Sequence, residues 1–210
     1  MSVISKDDVL NLREKTGAGL IDCKRALIES NGNLDEAVSI LRKKGVASAA
    51  KKAGRDAGEG IIAQAVSGDN RKGILVEVNC ETDFVAKNED FVSFASEVAS
   101  KLLENSECDL ETARTEQVAK IGENIRISRS QDLAPTSEGL VESYVHTGSK
   151  VAVLLSMGTD SSDAASDTKV VSLAKDLCMH IAATSPVCVS REDVPADLVA
   201  KEQDIARAQA

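Results

Sequence analysis

Apolar residues in the first forty positions recur at three- and four-residue steps, so this stretch reads as short helices rather than strands. Val9, Leu10 and Leu12 precede Thr16-Gly17-Ala18-Gly19, which predicts a first helix stopped by glycine. Leu20, Cys23, Leu27 and Ile28 give a second helix from Leu20 to Ser30, ending at Asn31-Gly32. Asn33 is placed to cap a third, with Glu36 as its capping-box partner and Leu34, Ala37, Val38 and Leu41 as the inward stripe. From Lys43 to Gly60 large apolar residues almost vanish and Ala, Lys and Gly take over, which reads as a partly helical linker.

The spacing then switches to alternation. Ile61 to Val66 and Gly73 to Asn79, separated by Gly68-Asp69-Asn70, predict a β-hairpin. Asn88 opens a helix carrying Phe91, Phe94, Ala95, Val98 and Leu102 on one face. A helix over Leu110 to Ile121 and a strand over Ile125 to Ser128 follow. The same plan then returns: strands Leu140 to His146 and Lys150 to Met157 around Thr147-Gly148, then an amphipathic helix from Asp167 to Ala183. Equivalent elements lie 77 to 79 residues apart, a likeness of plan and not of letters. A last helix, Ala196 to Ala210, starts after Pro195. The expected class is α+β, a three-helix module followed by hairpin-plus-helix units.

Charge divides the chain at the same place. Residues 1–55 hold 11 Lys and Arg against 7 Asp and Glu, and the remainder holds 14 against 27 within an overall charge of −9. That balance argues against nonspecific nucleic-acid binding and against an anionic membrane surface. Aromatic residues make up only 2% of the 210, namely Phe84, Phe91, Phe94 and Tyr144, so base stacking and planar-cofactor binding are disfavoured. No secretory or lipidation signal is visible, and the longest apolar run, Val151 to Leu155, is far short of a membrane span. Five scattered cysteines without a CxxC pair suit reduced thiols and a cytoplasmic setting.

No enzymatic constellation emerges. His146 and His180 are the only histidines, neither in a metal-binding pattern, and no phosphate-binding glycine motif occurs. No cofactor or metal is therefore expected. A thiol enzyme pairing Cys80 with His146 stays formally open against the plainer reading of Cys80 as a buried small hydrophobe. His180 falls on a helical apolar face, as a core histidine would. The segment Asn79 to Asn88 is the distinctive one, a strand-to-helix loop that sets Phe84 among Glu, Thr, Asp, Lys and Asn. Phe84 is either a staple packed on the following helix or an anchor offered to another protein.

Four blocks carry a further likeness: Thr16-Gly-Ala-Gly-Leu-Ile-Asp-Cys-Lys-Arg-Ala-Leu27, Val76-Glu-Val-Asn-Cys-Glu-Thr-Asp-Phe-Val-Ala-Lys87, Lys120-Ile-Gly-Glu-Asn-Ile125 and Cys178-Met-His-Ile-Ala-Ala183. In this order they resemble elongation factor Ts of bacteria and organelles. The resemblance implies a guanine-nucleotide exchange factor for elongation factor Tu, with no bond-making site. It implies a ubiquitin-associated-like module over 1–54 with a linker helix to about 58, a first α+β subdomain over 59–137 and a second over 138–210. It also implies that Thr82, Asp83, Phe84 and Val85 enter the GTPase near its magnesium and nucleotide, which favours the anchor reading of Phe84. Leu20 and Ile21 would lie at a second contact with the GTPase, and His146 would face it as well. Longer family members continue past the equivalent of Ala210, so a short or C-terminally truncated form is expected. The second subdomain would then be incomplete, or completed by another copy in a homodimer. A separate alternative rests on residues 1–45 alone: a ubiquitin-associated-type peptide or nascent-chain binding module joined to an unrelated core.

Overall fold

The computed structural model describes residues 4–209, so Met1 to Val3 and the expected helix end at Ala210 lie outside it. Helix α1 (Lys6–Thr16) opens on a capping box that the apolar spacing did not reveal. The Ser5 hydroxyl accepts from the Asp8 N–H at 3.1 Å, and the Asp8 carboxylate accepts from the Ser5 N–H at 2.9 Å. Helix α2 (Leu20–Glu29) and α3 (Leu34–Lys52) complete the module, with Asn33 Oδ1 accepting from the Glu36 N–H at 3.1 Å. Leu12, Cys23, Ala26, Leu27 and Ala37 form its small core. Leu20 and Ile28, expected on the inward face of α2, are exposed, and Ala26 takes the buried position. The stretch from Lys43 is partly helical as expected, but its helix stops short of residue 58. Helix α3 runs unbroken through Lys52, because Ala and Lys are strong helix formers even without an apolar stripe. Its Ala49 is buried in the second core.

That core is built on an antiparallel sheet of β1 (Glu59–Val66), β2 (Gly73–Cys80) and β3 (Arg126–Leu133), ordered β1-β2-β3. Strand β2 alternates as its sequence demands, burying Ile74, Val76, Val78 and Cys80 between less buried Leu75, Glu77 and Asn79. Helix α5 (Glu89–Glu104), capped by Asn88, lays Phe91, Phe94, Ala95, Val98 and Leu102 against this face. Helix α6 (Glu111–Ile121) adds Val118, and buried Ile125 follows it. Strand β3 is five residues longer than expected at its far end, where polar Arg129 to Asp132 pair with Glu77 to Ile74 along an exposed edge.

The second hairpin joins β4 (Gly139–Val145) to β5 (Ala152–Gly158) and is covered by α8 (Thr168–Thr184), with a one-turn helix α7 (Ser162–Ser166) before it. Ala174 and Cys178 are the buried contacts of α8. His180 is exposed, not a core histidine, since the inward line of the helix passes through positions 174 and 178. The two hairpins touch directly. Ile62 N–H donates to Ser149 C=O at 2.8 Å and Val141 N–H to Asn70 C=O at 2.6 Å. At Gly73 an added Cβ would lie 2.7 Å from Val141 Cγ1 and 2.8 Å from Leu154 Cδ1. Helix α9 (Ala196–Gln209) ends the described chain and buries none of its residues. The architecture is α+β, helices first and small antiparallel sheets with covering helices after.

Candidate functional site

The segment after β2 is not a plain loop. Asp83–Ala86 forms a one-turn helix, α4, whose cap is Thr82: the Thr82 hydroxyl oxygen accepts from the Val85 N–H at 3.3 Å. One turn of helix sorts four side chains to opposite sides. Ala86 is buried and Val85 half-buried against the sheet core, while Asp83 and Phe84 point to solvent. Phe84 is 81% exposed. A staple would be covered, so that reading of Phe84 is excluded. Phe91 and Phe94, by contrast, are buried in the α5 stripe.

The turn is held from a distance. Glu123, just past the end of α6, accepts the Glu81 and Thr82 N–H groups on Oε2, both at 3.0 Å, and the Thr82 hydroxyl on Oε1 at 2.7 Å. Glu81 answers, its Oε1 accepting the Asn124 N–H at 2.6 Å and facing Arg55 Nη1 at 3.4 Å. Buried Asn124 donates its side-chain amide to the Arg55 carbonyl at 2.9 Å, tying in the chain that leaves α3. Nothing in the sequence signals that Glu123, Asn124 and Arg55 meet the turn. The Lys120 to Ile125 block marked the place without assigning Glu123 a task.

On the outer side of the turn, Lys87 Nζ lies 2.8 Å from Asp83 Oδ2. That hydrogen bond and the ammonium charge hold the Asp83 carboxyl below its usual range, and Asp83 raises Lys87 in return. Cys80 lies directly behind, fully buried, its Sγ–H donating to the Thr82 carbonyl at 3.2 Å. Burial, with Glu123 adding to it, pushes this thiol up to about 11. A cysteine nucleophile needs the opposite shift, so the pairing of Cys80 with His146 gains no support and Cys80 is a packed core residue.

His146 is exposed just after β4, with its Nδ1 2.8 Å from Tyr144 Oη. Its turn sits near the same end of the sheet as α4, because Lys150 Nζ reaches Glu59 Oε2 at 2.6 Å and Glu59 pairs with Cys80 across β1 and β2. Leu20 and Ile21 lie elsewhere, at the start of α2, 45% and 69% exposed. Among the described residues no group of three or more His, Cys, Asp or Glu could hold a metal ion, and no helix is long and apolar enough to cross a membrane.

Comparison with known proteins points one way. The sequence model of the family described as "Elongation factor TS" matches residues 81–210, beginning at Glu81 and including Glu123. An elongation factor Ts of Clostridium perfringens (strain SM101 / Type A) is 45% identical over 99% of this chain and 72% of its own length. Those of Prosthecochloris aestuarii and Nautilia profundicola are 41% and 44% identical over the whole chain, covering 77% and 72% of their own lengths. With more than half of the chain matched by the family model and relatives of this identity along its length, the chain belongs to the elongation factor Ts family and is a translation elongation factor.

Proposed function

We propose that this chain binds elongation factor Tu and promotes exchange of its GDP for GTP by presenting Asp83 and Phe84 to the magnesium and phosphate region of the nucleotide site. The observation that carries this reading is the exposure of Phe84 on a turn whose other members are tied down. Burying a Phe side chain is worth about 1.5–3 kcal/mol, which this chain forgoes for one of its three Phe residues until a partner covers it. Asp83 sets a carboxylate beside the ring, where it competes electrostatically with the phosphate for a bound cation. Thr82 and Val85 hold the turn from beneath. Leu20 and Ile21 supply a second apolar contact from the helical module over 1–54, and His146 a third near the sheet end that carries Phe84. The core divides into subdomains over 59–137 and 138–210.

The mechanism is linkage. The factor and GDP bind the same GTPase with unfavourable coupling, so each weakens the other by the same factor. No covalent bond is made or broken, and no nucleic acid takes part. The cytoplasm is the compartment this function assigns. Release of labelled GDP from purified elongation factor Tu, with and without the chain, tests the proposal. Acceleration that is lost in Phe84→Ala supports it. Equal release with and without the chain overturns it.

A further inference from the structure

Glu123 is joined to the Phe84 turn by three hydrogen bonds, and nothing in the proposed exchange reaction requires Glu123 to touch the partner. We infer that Glu123 is a positioning residue: its carboxylate sets the angle at which α4 leaves the sheet and so aims Asp83 and Phe84. The inference rests on the role of Phe84 proposed above.

A four-residue helix does not sustain itself, because nucleation costs more than one turn of hydrogen bonds returns. The stability of α4 must therefore come from its surroundings. Val85 and Ala86 supply packing from below, but apolar packing is non-directional and leaves rotation about that contact open. The Glu123 carboxylate closes it. Two consecutive backbone N–H groups converge on Oε2 and the cap hydroxyl meets Oε1, which fixes the peptide planes at 81 and 82 relative to the carboxylate plane.

The bracing is mutual, since Glu81 Oε1 accepts the Asn124 N–H. Two adjacent residue pairs, 81–82 and 123–124, thus exchange side-chain-to-backbone bonds across the end of the sheet. Glu123 has firm footing of its own: Gly122 closes α6, Val118 on that helix is fully buried, and Asn124 and Ile125 beyond it are buried as well. A group that inserts into a partner gains from being held beforehand in the inserting geometry. Misaiming Phe84 should slow release within the complex without weakening contacts made by Leu20 and Ile21.

Glu123→Gln tests this, because it keeps the size but offers one acceptor oxygen in place of two and removes the charge that strengthens all three hydrogen bonds. Labelled-GDP release from elongation factor Tu is measured against factor concentration, separating the plateau rate from the half-saturating concentration. The plateau should fall about tenfold or more while the half-saturating concentration stays within about twofold. Circular dichroism melting confirms the fold. Should Glu123→Gln not fold, Glu123→Asp keeps the charge and the Thr82 cap but draws both oxygens back by one methylene, and should lower the plateau in the same sense. A wild-type plateau in the folded variant overturns the inference, as does a raised half-saturating concentration alone. With Phe84→Ala run alongside, a low plateau there and a normal one in Glu123→Gln rejects only the positioning role. A normal plateau in Phe84→Ala rejects both readings together.

Discussion

The Thr82 hydroxyl donates to Glu123 Oε1 at 2.7 Å while its oxygen accepts the Val85 N–H at 3.3 Å, so one side chain links the cap of α4 to a carboxylate 41 residues away. A hydroxyl can do both at once because it carries one donor and two acceptor lone pairs. The cap is thereby part of a tertiary contact, and the exposed ring of Phe84 stands on an anchored base.

Phe84 and Phe91 are seven residues apart and should behave as opposites. Phe84→Ala removes a ring already in water and should leave stability within about 0.5 kcal/mol of wild type while slowing GDP release. Phe91→Ala empties a fully buried site and should cost about 3–5 kcal/mol. Urea unfolding of the two variants compares them directly. A large stability loss in Phe84→Ala would show that the ring is covered in solution.

Ile21 tests the second contact. Ile21→Asp places a charge on an exposed position and should not disturb α2, yet it should raise the half-saturating concentration for exchange about tenfold. The plateau rate should stay as it is, since Phe84 is untouched. A titration of GDP release reads both quantities, and a lowered plateau with unchanged affinity would assign Ile21 a different part.

Gly60 is a backbone requirement of β1. Its φ of 148° and the 2.2 Å separation between an added Cβ and the Val78 carbonyl oxygen leave no room for a side chain. Gly60→Ala should cost more than about 2 kcal/mol, seen as a lowered urea midpoint with little change in slope. An alanine tolerated without loss would mean that β1 and β2 separate more readily than their pairing suggests.

Cys80 and Cys178 give the protein a pH dependence on the alkaline side. Burial pushes both thiols from 9.0 to about 11, so between those values the unfolded chain has lost protons that the folded chain keeps. Stability contributed this way is present below about 9 and falls as pH rises through about 11. Melting temperatures at rising pH should drop less steeply in Cys80→Ala than in wild type. In the native protein at pH 8, iodoacetamide should reach Cys108 and Cys188, which are partly exposed, well before buried Cys23, Cys80 and Cys178. Equal labelling of all five would contradict the burial.

Where a side chain's fate depends on its near neighbours, the sequence was readable. The alternation of Ile74, Val76 and Val78 announced β2, and Asn88 with Phe91, Phe94 and Val98 announced α5 with its cap and its inward face. The oddity of Phe84 in polar company was visible as well, though not which of two readings held. What escaped detection depends on partners distant in the chain. Arg129 to Asp132 extend β3 only because β2 offers them an edge, and nothing in their polarity signals a strand. His180 falls on the apolar face of its helix in sequence, but the inward line of α8 runs through Ala174 and Cys178 and leaves it exposed. Glu123 acquires its place from hydrogen bonds to residues 41 and 42 positions earlier, which no local pattern encodes.

Gly73 has a wider meaning than the space it leaves. At the joint between the two hairpins it carries a hydrogen atom where any other residue would set a Cβ 2.7 Å from Val141 and 2.8 Å from Leu154. The close approach of one hairpin to the other thus depends on a buried position. A carbon atom added here would force the Val141 and Leu154 side chains to shift, so a position far from the exposed surfaces of Phe84 and His146 bears on how closely the two hairpins meet.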